Sequence, residues 1–178
     1  MRLDAIGALN EIQGVKSTTS SRRSQSVGAL GGYYPKTDNN KKLSQALEQS
    51  PIGLNLPNEK SLAKMGFKKV DLGNRAYGQA YQDKDGNTIY IGKWGADAES
   101  GMRDATRVRY ESKDGTIEHN VYFTPDGDPF KGKMTKNPAP DICGGSTQTF
   151  NYEYDESGNP QLTKYTEENL SLPPQYQK

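Results

Sequence analysis

From residue 68 onward, apolar and polar side chains alternate along the chain in short runs separated by turn residues. Asp85-Gly86, Asp114-Gly115, Asp126-Gly127 and Ser157-Gly158 each lie between two such runs. Period-two alternation is typical of β-strands, and these dipeptides supply the positive φ that tight hairpins need. The pattern therefore predicts a mainly β fold: an antiparallel meander of hairpins with about seven or eight strands, as an open sheet or a flattened barrel.

The turns also predict which strands pair. Residues 76–82 pair with 88–94, 105–111 with 116–123, and 147–154 with 161–166, and a further strand lies near 129–134. Centring the first turn on Asp85-Gly86 places Tyr81 opposite Tyr90 and Tyr77 opposite Trp94. These four aromatic residues are then expected on one face of the hairpin, with Ala80, Ile89 and Ile91 on the other.

The second and third hairpins are expected to have one apolar face each. In the second, one face carries Thr106, Val108, Tyr110, Ile117, His119, Val121 and Phe123, and the other carries Arg103, Arg107 and Arg109, with Glu111 and Glu118 near enough to pair with them. In the third, Phe150, Tyr152 and Tyr154 align with Thr163 and Tyr165. The run 152–159 resembles the YD-type hairpin repeats of large bacterial shell and toxin proteins, a resemblance that implies a hairpin there and a bacterial source.

The chain before the β domain divides into two parts. Residues 1–40 predict a flexible polar arm, in which Leu3, Ile6, Leu9 and Ile12 form a short amphipathic helix ahead of a Ser- and Gly-rich linker. Residues 41–66 predict a helical lead-in. Its first helix, 40–49, buries Leu43, Ala46 and Leu47, and its second is capped by Asn58, has Leu62 and Met65 as its stripe and ends at Gly66. The β domain then covers 67–168, and 169–178 form an extended tail.

Composition changes this picture in two ways. Only 31% of the 178 residues are hydrophobic, and mean hydropathy is −0.95, so the core is expected to be thin and rich in Tyr. The net charge is +1, without the basic excess typical of nucleic-acid binding. Single Cys and His residues exclude an internal disulfide framework and zinc-ligand spacing, and no cofactor or metal is expected. No segment is long and apolar enough to span a bilayer, and the start is unlike a secretory signal. We expect a cytoplasmic protein, or one exported without a cleaved signal peptide.

Two sets of residues are candidates for function. The row Tyr77, Tyr81, Tyr90 and Trp94 forms a platform on which a protein or carbohydrate ligand can stack, unless it is simply core. Cys143 lies in a Gly- and Pro-rich loop, and His119 is the only imidazole; as a pair, with Arg107 stabilising an oxyanion, they would serve a Cys-dependent hydrolase or transpeptidase. The alternation, however, places His119 between Ile117 and Val121 on the apolar face, where a structural role is the ordinary outcome.

The sequence therefore favours a non-enzymatic binding or assembly module over an enzyme. It would use the aromatic sheet face and the N-terminal arm, and its exposed edge strands allow a homodimer. The alternative is the Cys143/His119 enzyme, for which no catalytic motif surrounds the cysteine. The sequence names no ligand for either hypothesis.

Overall fold

A computed structural model describes residues 34–73, 77–140 and 144–169. The described residues from Lys42 onward belong to one compact unit, which contains the β-sheet. Several predictions lie outside the described residues: the stripe from Leu3 to Ile12, the linker up to residue 33, Cys143, and tail residues 170–178.

Eight antiparallel strands form one sheet, in which each strand pairs with its neighbours in chain order. The strands are β1 (Lys68–Val70), β2 (Gln79–Gln82), β3 (Thr88–Gly92), β4 (Thr106–Glu111), β5 (Ile117–Phe123), β6 (Pro129–Lys136), β7 (Ser146–Tyr154) and β8 (Pro160–Asn169). The predicted meander is confirmed, and the sheet is open, with β1 and β8 at its edges.

The described residues also form three helices: α1 (Tyr34–Leu47), α2 (Glu59–Lys64) and α3 (Ala96–Ser100). Helix α1 begins six residues before the predicted start at residue 40. Asn58 caps α2 as predicted: its side chain accepts the Ser61 N–H at 2.9 Å, and Ser61 Oγ accepts the Asn58 N–H at 2.9 Å. Met65 is 43% exposed and so does not belong to the buried stripe of α2. Helix α3 was not predicted, because five residues are too few to show helical periodicity.

One face of the sheet, here called the core face, holds most of the buried apolar residues. Its side chains include Tyr81, Ile89, Val108, Tyr110, Val121, Phe123, Met134, Phe150 and Tyr152. Leu43 and Ala46 of α1, Leu62 of α2 and Phe67 cover these residues in the same cluster. The two helices thus complete a core to which Tyr81, Tyr110 and Tyr152 contribute.

The loop of the first hairpin is closed by Asp83 and Asn87, so it is not centred between Asp85 and Gly86. The Asp83 N–H donates to the Asn87 carbonyl at 3.1 Å, and the Gly86 N–H donates to the Asp83 carbonyl at 3.2 Å. Gly86 has φ +91°, and Asp83 Oδ1 accepts the N–H groups of Asp85 and Asn87 at 3.0 and 2.9 Å. The result is a three-residue loop with glycine in the left-handed position.

An odd loop length shifts the register by one residue and corrects the predicted faces. Tyr81 lies opposite Ile89, and Tyr90 lies opposite Ala80, so the predicted pairing of Tyr81 with Tyr90 is wrong. A one-residue slip moves a side chain to the other face of a sheet. The four aromatic residues therefore do not share one face: Tyr81 belongs to the core face.

The second hairpin has the predicted strands and faces. Its turn closes through the Ser112 N–H, which donates to the Ile117 carbonyl at 3.0 Å around an even loop of four residues. Thr106 lies opposite Phe123, Val108 opposite Val121 and Tyr110 opposite His119. The predicted separation of apolar and arginine-bearing faces is confirmed.

The third hairpin follows the prediction in part. Phe150 lies opposite Tyr165, as expected, but Tyr152 lies opposite Leu162. A bulge between these pairs leaves Thr163 out of the register, and its hydroxyl donates to the Asn151 carbonyl at 3.0 Å.

Candidate functional site

The opposite face of strands β2 to β5, here called the outer face, combines aromatic rings with guanidinium groups. Two rows of directly paired residues define it: Ala80, Tyr90, Arg109 and Asn120 in the first, and Gly92, Arg107 and Tyr122 in the second. Across β6 to β8 the same face is polar, with Lys133, Asn151 and Lys164 in the first row. The aromatic residues of these two rows, Tyr90 and Tyr122, lie in the β2–β5 half, and Phe130 of β6 packs against the cluster that contains Tyr122.

The four predicted platform residues have different environments. Tyr81 is buried in the core, and Tyr90 is buried on the outer face. Tyr77 is half-buried in the turn before β2. Trp94, just after β3, is 67% exposed.

Two glycines bring the chain at Tyr77 close to the outer face. A Cβ atom on Gly92 would lie 2.8 Å from the Gly78 Cα and from the Tyr77 carbonyl oxygen, and one on Gly78 would lie 2.6 Å from the Gly92 Cα. Gly78 also has φ +105°. Only glycine permits this approach of two backbones, and Gly92 lies directly opposite Arg107.

The ring of Tyr77 consequently lies over both arginines of β4. Its centroid is 5.1 Å from the Arg107 Cζ and 4.4 Å from the Arg109 Cζ. The same ring makes an edge contact with Tyr90, with the two centroids 5.6 Å apart. These are cation–π and aromatic contacts, which fix the position of Tyr77 without a backbone strand.

Glu99 of α3 is the ionic partner of Arg107. Arg107 Nη1 lies 2.7 and 2.8 Å from the two Glu99 carboxylate oxygens, and the Tyr122 hydroxyl donates to Glu99 Oε2 at 2.5 Å. Burial alone would raise the pKa of Glu99, but these hydrogen bonds and the Arg107 charge outweigh it, so the pKa lies below its usual value. Burial and the bond to Glu99 raise the pKa of Tyr122. Glu99 therefore stays ionised and Tyr122 stays protonated at neutral pH.

Arg109 has the partners that the sequence predicted. Its Nε donates to Glu111 at 2.7 Å, and its Nη1 lies 3.1 Å from Glu118. Burial would lower the pKa of Arg109, but the two carboxylates outweigh it and raise the pKa. Arg103, by contrast, is 93% exposed and 3.8 Å from Asp104.

Three buried polar atoms of the outer face lack a hydrogen-bond partner among the described residues. They are Nε and Nη2 of Arg107 and Oδ1 of Asn120. The Arg107 side chain is only 3% exposed. A buried donor or acceptor without a partner loses its hydrogen bonds to water and gains none in return. These three atoms are therefore available to hydrogen-bond a ligand.

His119 lies on the core face, as the alternation indicated. Its Nδ1 is 2.6 Å from Ser50 Oγ and its Nε2 is 2.5 Å from Tyr152 Oη. Burial lowers the pKa of His119 to about 3, so the imidazole is neutral, with one nitrogen donating and the other accepting. Both nitrogens are thus occupied by partners other than Cys143, which lies outside the described residues.

Arg107, the third residue of the hypothetical enzyme, is on the other face of the sheet from His119. Across the described ranges, the structure shows no group of three His, Cys, Asp or Glu side chains able to hold a metal ion. Within the same ranges, no helix is long and apolar enough to cross a membrane.

A cleft lies beside β1 and β2, and Gly78, the residue after Tyr77, is part of its lining. It has a volume of about 470 Å³ and is lined by residues of β1, β2 and their connection, among them Val70, Leu72, Gly78 and Ala80. Val70 and Ala80 are paired and share the row of Tyr90. The lining also includes Lys69 and Gln79, which belong to rows of the core face, so the cleft lies at the β1 edge of the sheet rather than on one face.

Sequence reasoning missed Glu99, Asn120 and Tyr122. Glu99 lies between Gly95 and Gly101, both with positive φ, and this glycine spacing is the one signal that could have indicated a short helix. Nothing near Asn120 or Tyr122 distinguishes them from ordinary strand residues.

No protein-family model, curated protein or solved structure matches the chain.

Proposed function

We propose that this protein is a non-enzymatic binding module whose ligand lies against the outer face at Tyr77 and Trp94. The observation that carries the proposal is the exposure of Trp94, at 67%, two residues after Gly92, which lies opposite Arg107 on the outer face. Trp, Tyr and Arg are the residues that contribute most to binding surfaces. The adjoining cleft of about 470 Å³ is within the size range of ligand sites.

The geometry around His119 supports a binding role over the Cys-dependent enzyme. A general base needs a pKa near the working pH and a free nitrogen. His119 has a pKa of about 3, and both of its nitrogens have partners.

The experiment compares Trp94→Ala with Leu54→Ala on arrays of neutral oligosaccharides and of peptides. Leu54 is the matched control because it is also an exposed large apolar residue, at 52%, and is remote in sequence from the outer face. We expect the full chain and Leu54→Ala to retain the same array components and Trp94→Ala to lose them. Equal retention by all three proteins, or no retention by the full chain, would contradict the proposal.

Two parts of the interaction hypothesis stay predictions. The N-terminal stripe falls on residues outside those described; deleting residues 1–33 is expected to leave the unfolding of the sheet domain unchanged while abolishing binding of a protein partner. A homodimer would use an edge strand, and β8 is the longer edge. Its charged residues Lys164, Glu167 and Glu168 and its bulge are features that typically protect edges from pairing.

A further inference from the structure

The Nε and Nη2 atoms of Arg107 lie on one edge of the guanidinium group. Two donors on this edge can bind two acceptor atoms at the same time. Nη1 is committed to Glu99, and neither of the other two nitrogens has a partner among the described residues. Their N–H bonds are parallel, so together they suit two acceptor atoms at adjacent positions on one ligand.

Asn120 adds an acceptor in the neighbouring position. It lies opposite Arg109 on β5, two residues before Tyr122, which is opposite Arg107. Its Nδ2 donates to Glu118 at 3.1 Å, whereas its Oδ1 is buried without a partner in the described part of the chain. Arg107 and Asn120 are thus diagonal neighbours on adjacent strands of the outer face. Arg107 provides two donors and Asn120 provides one acceptor.

The charges around these atoms select the class of ligand. The two guanidinium groups contact three carboxylates, those of Glu99, Glu111 and Glu118, so the cluster has one more negative charge than positive. An anionic ligand would satisfy the Arg107 donors but would meet these carboxylates and would offer Asn120 no donor. Hydroxyl groups both donate and accept, and an uncharged ligand carries no repulsion into the site.

On these grounds, and resting on the proposed function, we infer that the ligand of the outer face is a neutral saccharide. Two adjacent hydroxyl oxygens accept from Arg107 Nε and Nη2, and a hydroxyl group donates to Asn120 Oδ1. The exposed ring of Trp94 supplies a flat apolar surface on which a sugar ring stacks.

Access to Arg107 depends on the side chain of Tyr77. The ring covers the guanidinium in the structure, and the backbone beside it is held by the close approach of Gly78 to Gly92. The chain therefore stays in place while the ring rotates aside about its own side-chain bonds. Tyr77 acts as a small lid that the sugar displaces.

The experiment uses the full chain and follows the fluorescence of Trp94, the only tryptophan, during titration with maltose, cellobiose, lactose and N,N′-diacetylchitobiose. We expect at least one of them to shift the emission saturably. Arg107→Lys keeps a positive charge for Glu99 but removes the paired donors, so it is expected to weaken that binding by about tenfold or more. The matched control is Arg103→Lys, whose side chain is 93% exposed, and it is expected to bind as the wild type does.

Asn120→Ala provides an independent test if Arg107→Lys does not fold. It is expected to weaken binding by a smaller factor, because it removes one neutral hydrogen bond. Tyr77→Ala is expected to raise the association rate, since the ring that must move is gone; a slower rate would contradict the role of the lid.

The same titrations distinguish a wrong assignment of the ligand class from a wrong proposal that the protein is a binding module. Binding of glucuronate or of an acidic peptide, sensed by Trp94, without binding of any neutral sugar, overturns the inference and leaves the binding module standing. No response of Trp94 to any sugar or peptide overturns both. Sugar binding that Arg107→Lys and Asn120→Ala leave unchanged overturns the assignment to this site.

Discussion

Nε2 of His119 lies 2.5 Å from the phenolic oxygen of Tyr152, although the two residues belong to β5 and β7, with β6 between them. The Tyr152 ring reaches His119 by lying over Gly132 of β6, since a Cβ atom there would be 2.7 Å from Tyr152 Cε1. Ser50, in the chain after α1, bonds to the other imidazole nitrogen. The histidine thus ties the covering segment to the sheet through a buried polar chain.

The buried imidazole predicts a pH-dependent stability. The pKa of His119 is about 3 in the folded protein and about 6.5 when unfolded. Between these values the unfolded chain binds the extra proton, so stability is complete above pH 6.5 and falls as the pH drops. We expect a loss of about 1.4 kcal/mol per pH unit from this group between pH 6 and 4.5, measured by urea unfolding.

The control for this pH dependence is His119→Gln. It should be less stable than the wild type at pH 7.5, because it disturbs the bonds to Ser50 and Tyr152, and the difference should narrow as the pH falls. If the difference in unfolding free energy between His119→Gln and the wild type were the same at every pH, His119 would not be the source of the pH dependence.

Gly132→Ala is expected to destabilise the fold by about 2 kcal/mol or more, because the new methyl group meets the Tyr152 ring. The ring cannot retreat without breaking its bond to His119. Gly53→Ala is the matched control, since a Cβ there meets nothing within 4 Å; it should leave the unfolding midpoint nearly unchanged. Equal midpoints for the two variants would mean that the ring does not lie over Gly132.

Glu99→Gln is expected to destabilise the fold by about 2 kcal/mol, because it leaves the buried Arg107 charge without its counterion. The effect stays below that of a fully buried pair, since Glu99 is itself 43% exposed. Asp97→Asn, a change of the same chemistry on an exposed residue of the same helix, should be close to neutral. Thermal unfolding of the two variants side by side measures the difference.

Asp83→Ala is expected to lower the melting temperature by roughly 2–5 °C, because the Asp83 carboxylate accepts two N–H groups of its own turn. Lys84→Ala, in the same loop, removes no such contact and should melt as the wild type does. Unchanged melting of Asp83→Ala would show that the loop length is set without this side chain.

The sequence by itself determined the class of fold and most of its hairpins. Alternation and Gly-containing turns are local properties, so they were sufficient for the meander, for the faces of the second hairpin and for the place of His119 on the apolar face. The cap at Asn58 followed in the same way, from residues three positions apart in the chain.

Tertiary structure decided the register of the first hairpin and the composition of the site. Adding or removing one loop residue moves Tyr81 to the other face. The Asp85-Gly86 dipeptide indicates a turn but does not determine how many residues the loop contains. Arg107 meets Glu99 only because α3 folds back on β4, and His119 meets Ser50 and Tyr152 across 69 and 33 positions of the chain. Such contacts depend on how separate elements pack, which periodicity within any one of them does not record.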